Sequence, residues 1–81
     1  MSWRTVVISN NAKLDYQIGY MVVRGEKTTK IHLNEIGMLI VESTAVSMTS
    51  YLLSELMKNK IKVVFCDEKR NPCSELVSYY G

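Results

Sequence analysis

Between residues 37 and 72 the hydrophobic period of this chain changes twice, and nothing else in the sequence constrains the fold as tightly. Met38-Leu39-Ile40-Val41 is a short apolar run bounded by Gly37 and by Glu42-Ser43-Thr44, the pattern of a strand covered on both faces. From Ser47 the period lengthens. Met48, Leu52, Leu53, Leu56 and Met57 fall on one stripe of a helix, expected over about 47–59. Ser47 offers an N-cap hydroxyl, Lys58 and Lys60 oppose the negative end of the helix dipole, and Asn59 tolerates the left-handed conformation that closes many helices. Residues 61–66 then read as a core strand. Asp67-Glu68-Lys69-Arg70-Asn71-Pro72 stops it, because charge, Asn and Pro favour a turn.

The residues before this unit carry the period of strands. Thr5-Val6-Val7-Ile8-Ser9 is rich in β-branched side chains, and Asn10-Asn11 suits a tight turn. From Lys13 to Gln17 polar and apolar residues alternate, with Leu14 and Tyr16 inward. Residues 20–24 form a third strand, Gly25-Glu26-Lys27 a turn, and residues 28–33 a fourth strand. That strand puts Thr29, Ile31 and Leu33 on one face and Lys30 and His32 on the other. Such spacing predicts an antiparallel meander, and residues 73–77 add a last strand. The expected class is mainly β with one α-helix (α+β), a small β-sandwich-like domain of five to seven short strands.

A chain of 81 residues, 47 % hydrophobic, supports one small domain. Such a domain buries roughly 60–65 % of the surface its unfolded chain exposes, so its core has little reserve. Ten basic against eight acidic residues leave a net charge of +2, too small to indicate nucleic acid by itself. No apolar run approaches the ~20 residues that span a bilayer, and the N-terminus lacks a signal-peptide pattern. The expectation is a cytoplasmic protein with no membrane contact. Cys66 and Cys73 do not form a CxxC pair and no His cluster accompanies them, which predicts two reduced thiols rather than a zinc site.

Catalytic signals are sparse. His32 is the one histidine and lies on a polar strand face, Glu42 sits at a strand end, and Asp67-Glu68 is flanked by Lys69 and Arg70. A small metal-dependent enzyme would have to use His32, Glu42 or Asp67. No phosphate-binding loop and no nucleophile with a partner base accompany them, so the residues read as a non-catalytic module with no catalytic and no metal site. Two surfaces remain. Lys13, Arg24, Lys27 and Lys30 come from adjacent strands and turns and can meet DNA phosphates, with Tyr16 and Tyr20 nearby for stacking. On that basis alone the chain reads as a stand-alone DNA-binding or protein-interaction β-domain. The apolar residues Leu39, Ile40 and Val41, with Val63, Val64 and Phe65, need cover on both faces. One helix cannot supply it, so a second sheet or another subunit must. Leu39, Val41, Val63 and Phe65 are therefore the candidate core and dimer surface.

Three stretches carry a resemblance. They are Trp3-Arg4-Thr5-Val6-Val7-Ile8 with Lys13-Leu14-Asp15, then Leu52-Leu53-Ser54-Glu55-Leu56, then Val63-Val64-Phe65-Cys66-Asp67-Glu68-Lys69-Arg70-Asn71-Pro72. Together they resemble the N-terminal domain of the CRISPR-associated spacer-acquisition integrase, the first-numbered Cas nuclease, in the form found with type II systems. The resemblance covers essentially the whole chain and is most specific over residues 65–72. It implies a β-rich domain with one helix that pairs as a homodimer, works with the smaller second Cas adaptation protein and lies under double-stranded DNA. It also implies a helical domain following Tyr79-Tyr80-Gly81, where a Glu, a His and a further carboxylate bind Mg2+ or Mn2+ to cut and join DNA ends. None of those ligands matches a residue here, so this domain is expected to be non-catalytic and without a cofactor of its own. Some relatives place an aromatic just before the second strand to brace a splayed DNA end; this sequence has Asn11 there.

Overall fold

The apolar runs within Arg4–Ile8, Ile36–Val41 and Lys62–Cys66 come together in one sheet, while the alternating Ala12–Gln17 and the apolar Tyr20–Arg24 fall in the other. In the computed structural model, which describes residues 4–79, the strands are β1 Arg4–Ile8, β2 Ala12–Gln17, β3 Tyr20–Arg24, β4 Thr28–His32, β5 Ile36–Val41, β6 Val46–Met48, β7 Lys62–Cys66 and β8 Pro72–Leu76. A 3-10 turn, Leu33–Glu35, precedes β5, and the single described α-helix, α1, is Ser50–Lys58. Trp3, Tyr80 and Gly81, part of the resemblance, lie outside the described residues. One sheet has the order β1-β5-β7-β8, with the first three strands parallel and β8 antiparallel to β7. The other has the order β4-β3-β2-β6, an antiparallel meander with β6 added in parallel to β2.

The sheets face each other across one core. Val6, Ile8, Leu39, Val41 and Val63 come from the parallel sheet, and Leu14, Met21 and Ile31 from the meander sheet. Leu52 and Leu56 of α1 complete it, both fully sealed from solvent. Each such aliphatic side chain contributes about 1.5–3 kcal/mol of transfer free energy. The helix contacts β2 of one sheet and β7 of the other. The β-sandwich with one helix agrees with the fold class expected from sequence, with eight described strands where five to seven were expected.

Several local expectations need correction. The helix begins three residues later than its apolar stripe suggests. Thr49, not Ser47, is the N-cap, its Oγ1 accepting from the Leu52 N–H at 3.1 Å. Ser47 belongs to β6, and Met48 pairs with Leu14 instead of opening the helix. At the other end Asn59 keeps a negative φ and Lys60 takes the left-handed conformation at φ 57°. The Ile61 N–H donates to Leu56 O at 3.0 Å and the Lys60 N–H to Met57 O at 3.0 Å, a Schellman closure. Asn10-Asn11 joins the two sheets instead of turning a hairpin, because β1 pairs with β5 and only β2–β3–β4 meander. The uninterrupted apolar run of β1 suits a parallel sheet, whose strands are covered on both sides. Gly37, expected as a boundary, lies within β5. There the register slips between Arg4–Ile36 and Thr5–Met38, a bulge that lets Ile36 and Leu39 both turn inward.

Candidate nucleic-acid and self-association faces

Strand pairing decides which of the sequence candidates meet. In the meander sheet Lys13 lies opposite Arg24, Asp15 opposite Val22, and Val22 opposite Lys30. Directly paired residues share a face and successive ones alternate. Leu14, Met21 and Ile31 point into the core, so Lys13, Arg24 and Lys30 all project from the outer face. The Arg24 Nε donates to Asp15 Oδ2 at 2.9 Å, which neutralises that guanidinium in part. Among the described residues no ion pair engages Lys13 or Lys30, and both are exposed. Val22 sits at the centre of this outer face yet has 0 % exposure. Its ladder partners are Asp15 and Lys30.

A cleft of about 550 Å³ opens beside the basic row, walled by Lys13, Arg24, Glu26, Thr44 and Ser47. Lys27 is not placed in that row. It lies in the β3–β4 turn and lines a neighbouring cleft of about 420 Å³ with Ser9, Asn10 and Asn11. The two tyrosines separate as well. Tyr16 turns to the core side and meets Tyr51 of α1 edge-on, ring centroids 4.9 Å apart, so it is not available beside the lysines. Tyr20 stays on the outer face, edge-on to His32 at 4.9 Å.

The enzyme candidates do not converge. His32 Nδ1 accepts from the Asn34 N–H at 3.2 Å, capping the 3-10 turn on the meander sheet. Glu42 and Asp67 follow β5 and β7 in the parallel sheet. Arg70 holds that corner, with Nη1 2.8 Å from Glu42 Oε1 and 2.9 Å from Ser9 O, so one guanidinium ties the ends of β1 and β5 to the β7–β8 turn. Asp67 Oδ1 accepts from the N–H groups of Lys69 and Asn71. Among the described residues no group of three or more His, Cys, Asp or Glu could hold a metal ion. Burial pushes the Cys66 thiol up from its ordinary range, and the Glu42 carboxylate adds to the rise.

The apolar candidates divide by parity. Leu39, Val41 and Val63 are buried in the core and half-buried Phe65 packs against it, so a partner cannot reach the first three. The alternate positions of the same strands face outward. They are Val7, at 46 % exposure, and the half-buried Met38, Ile40 and Val64. Val7 pairs with Ile40 and Ile40 with Val64, giving a continuous apolar row across β1, β5 and β7. The sequence names Ile40 and Val64 among the residues that need cover but not as an outward row with Val7 and Met38, because a run such as Met38-Leu39-Ile40-Val41 does not say which parity faces in. No helix of the described residues is long and apolar enough to cross a membrane.

Comparison with known proteins adds an independent line. A sequence model of the family CRISPR associated protein Cas1 matches residues 5–80. A CRISPR-associated endonuclease Cas1 from Neisseria meningitidis serogroup C (strain 8013) is 32 % identical over 98 % of this chain and 26 % of its own length. The chain thus spans about a quarter of that relative. Among solved structures, a Cas6-RT-Cas1–Cas2 complex superposes with a TM-score of 0.83 at 19 % identity, covering 94 % of this chain and 9 % of that one. A casposase bound to integration product superposes at 0.74 and 9 % identity, covering 93 % and 25 %. At those identities the structural likeness establishes the fold.

Proposed function

The chain belongs to the CRISPR-associated Cas1 family, and from that premise we propose that it forms the non-catalytic N-terminal β-domain of an adaptation integrase, in the form found with type II systems. In this reading the domain works in the cytoplasm. It carries double-stranded DNA on the outer face of its meander sheet and joins a second copy through the outer face of its parallel sheet. The assembled protein adds Cas2 as partner and a helical catalytic domain holding Mg2+ or Mn2+. The name of the curated relative, an endonuclease, and that of a fold neighbour, a complex that includes Cas2, support the chemistry and the partner. The apolar row of Val7, Met38, Ile40 and Val64 supports the second copy, since parallel sheets occur almost only with both faces covered.

The shared outer face of Lys13, Arg24 and Lys30 carries the DNA part of the reading. Each cation that meets a phosphate releases condensed counterions, so binding must weaken as salt rises. Fluorescence anisotropy with a labelled duplex tests it. At ~50 mM salt the chain is expected to bind. Replacing Lys13, Arg24 and Lys30 together by Ala is expected to flatten the log affinity against log salt slope by about three units, roughly one per lost contact. No binding at low salt, or a slope unchanged by the substitutions, overturns it.

A further inference from the structure

We propose that Cys66 and Cys73 form a reversible intrachain disulfide across the β7–β8 hairpin when the protein meets a peroxide-class oxidant. The hairpin register sets up the pair. Phe65 lies opposite Ser74, but Cys66 lies opposite Pro72, so Pro72 and Cys73 together oppose Cys66 in a bulge. Phe65 packs on the core side. Alternation therefore sends Cys66, and Cys73 beside Ser74, to the outer side of the sheet. Cys73 is the extra residue of that bulge, set between the partner of Cys66 and the partner of Phe65, so it stands one place from Cys66 across the ladder and its charge acts on the Cys66 thiol. The two thiols differ in access, Cys73 being exposed and Cys66 only 8 % exposed. Burial and the nearby Glu42 carboxylate keep Cys66 protonated, which makes Cys73 the thiol that meets oxidant first.

The chemistry balances in two steps. The Cys73 thiolate attacks one oxygen of the peroxide, the O–O bond breaks, and the sulfur becomes a sulfenic acid as water leaves. The Cys66 sulfur then gives up its proton and attacks the Cys73 sulfur. The S–O bond breaks, a second water leaves, and the S–S bond forms. Two thiols are oxidised by two electrons and one peroxide is reduced to two waters. The closed loop contains Arg70, so the bond would fasten the turn whose guanidinium holds Ser9 O and Glu42. A dithiol reductant reverses it by exchange.

The test is stoichiometric hydrogen peroxide on the folded 81-residue chain, followed by alkylation, peptide mapping and intact mass. The expected product is a monomer lighter by two hydrogens. Both cysteines are then protected from alkylation and linked in one peptide, and dithiothreitol restores both thiols. Cys73→Ser should leave Cys66 a free thiol after the same treatment. Cys66→Ser should leave a Cys73 sulfenic acid that dimedone traps. The proposal is overturned if both thiols remain alkylatable after oxidant. It is equally overturned if Cys73 proceeds to sulfinic acid, or links to a second chain, while Cys66 stays reduced.

Discussion

Val22 and Val63 are both sealed from solvent, but by different neighbours. Val63 stands on the inner face of the parallel sheet, within the shared core of both sheets and the helix. Val22 stands on the outer face of the meander sheet, paired with Asp15 on one side and Lys30 on the other. The two sheets thus contribute alike to the core and diverge outside it. One outer face is mainly polar, with Lys13 opposite Arg24 and Lys30 two residues along, opposite Val22. The other is a half-buried apolar row. The apolar runs of β1, β5 and β7 leave Val7, Met38, Ile40 and Val64 outward beside the exposed Lys62–Glu75 ion pair at 3.2 Å, whereas the outer parity of the meander is mainly polar.

The two valines give the sharpest way to break this contrast. Val63→Ala removes methyl groups from a tightly packed site and should cost about 2–3 kcal/mol in urea unfolding. Val22→Ala makes the same deletion outside the shared core, on a face where long polar side chains can settle into the gap, and should cost only about 1 kcal/mol. Equal losses would mean that the outer face is packed like the core. At the helix start, Thr49→Ala should cost about 1 kcal/mol and Ser47→Ala much less, which separates the observed cap from the expected one.

A substitution in the β2–β3 turn should stabilise. Ile18 is a β-branched residue at φ 44° and 93 % exposed in the β2–β3 turn. Ile18→Asn should relieve a strain of about 1 kcal/mol without touching either face, visible as a higher midpoint at unchanged slope. The smallest expected effect on stability belongs to the basic row. Lys13→Ala and Lys30→Ala should each stay within about 0.5 kcal/mol, since neither has an ion-pair partner among the described residues.

Where pattern is local, the sequence was readable. The alternation from Lys13 to Gln17, the helical spacing of Leu52 and Leu56, and the turn after Cys66 all stand where periodicity puts them. The family likeness was readable as well, on residues 65–72 above all. What was not readable depends on pairing between distant residues. The parallel partnership of β1 with β5 leaves no local mark. The three-residue β6 was hidden because Met48 also fits the helical stripe. The parity of β5 depends on a bulge at Gly37 that composition does not announce. The same reason explains the candidate sites. Lys13, Arg24 and Lys30 were found because their strands are sequential neighbours. The outward row of Val7, Met38, Ile40 and Val64 comes from three strands that meet only in the fold.

The central claim is that the two outer faces have separate duties, one toward DNA and one toward a second copy. Sedimentation velocity on the unmodified chain, the Lys13→Ala/Arg24→Ala/Lys30→Ala variant and Ile40→Glu, all confirmed folded, tests it most directly. The account expects a dimer for the first two and a monomer for Ile40→Glu. A dimer that survives Ile40→Glu, or one that is lost when the basic row is removed, contradicts it.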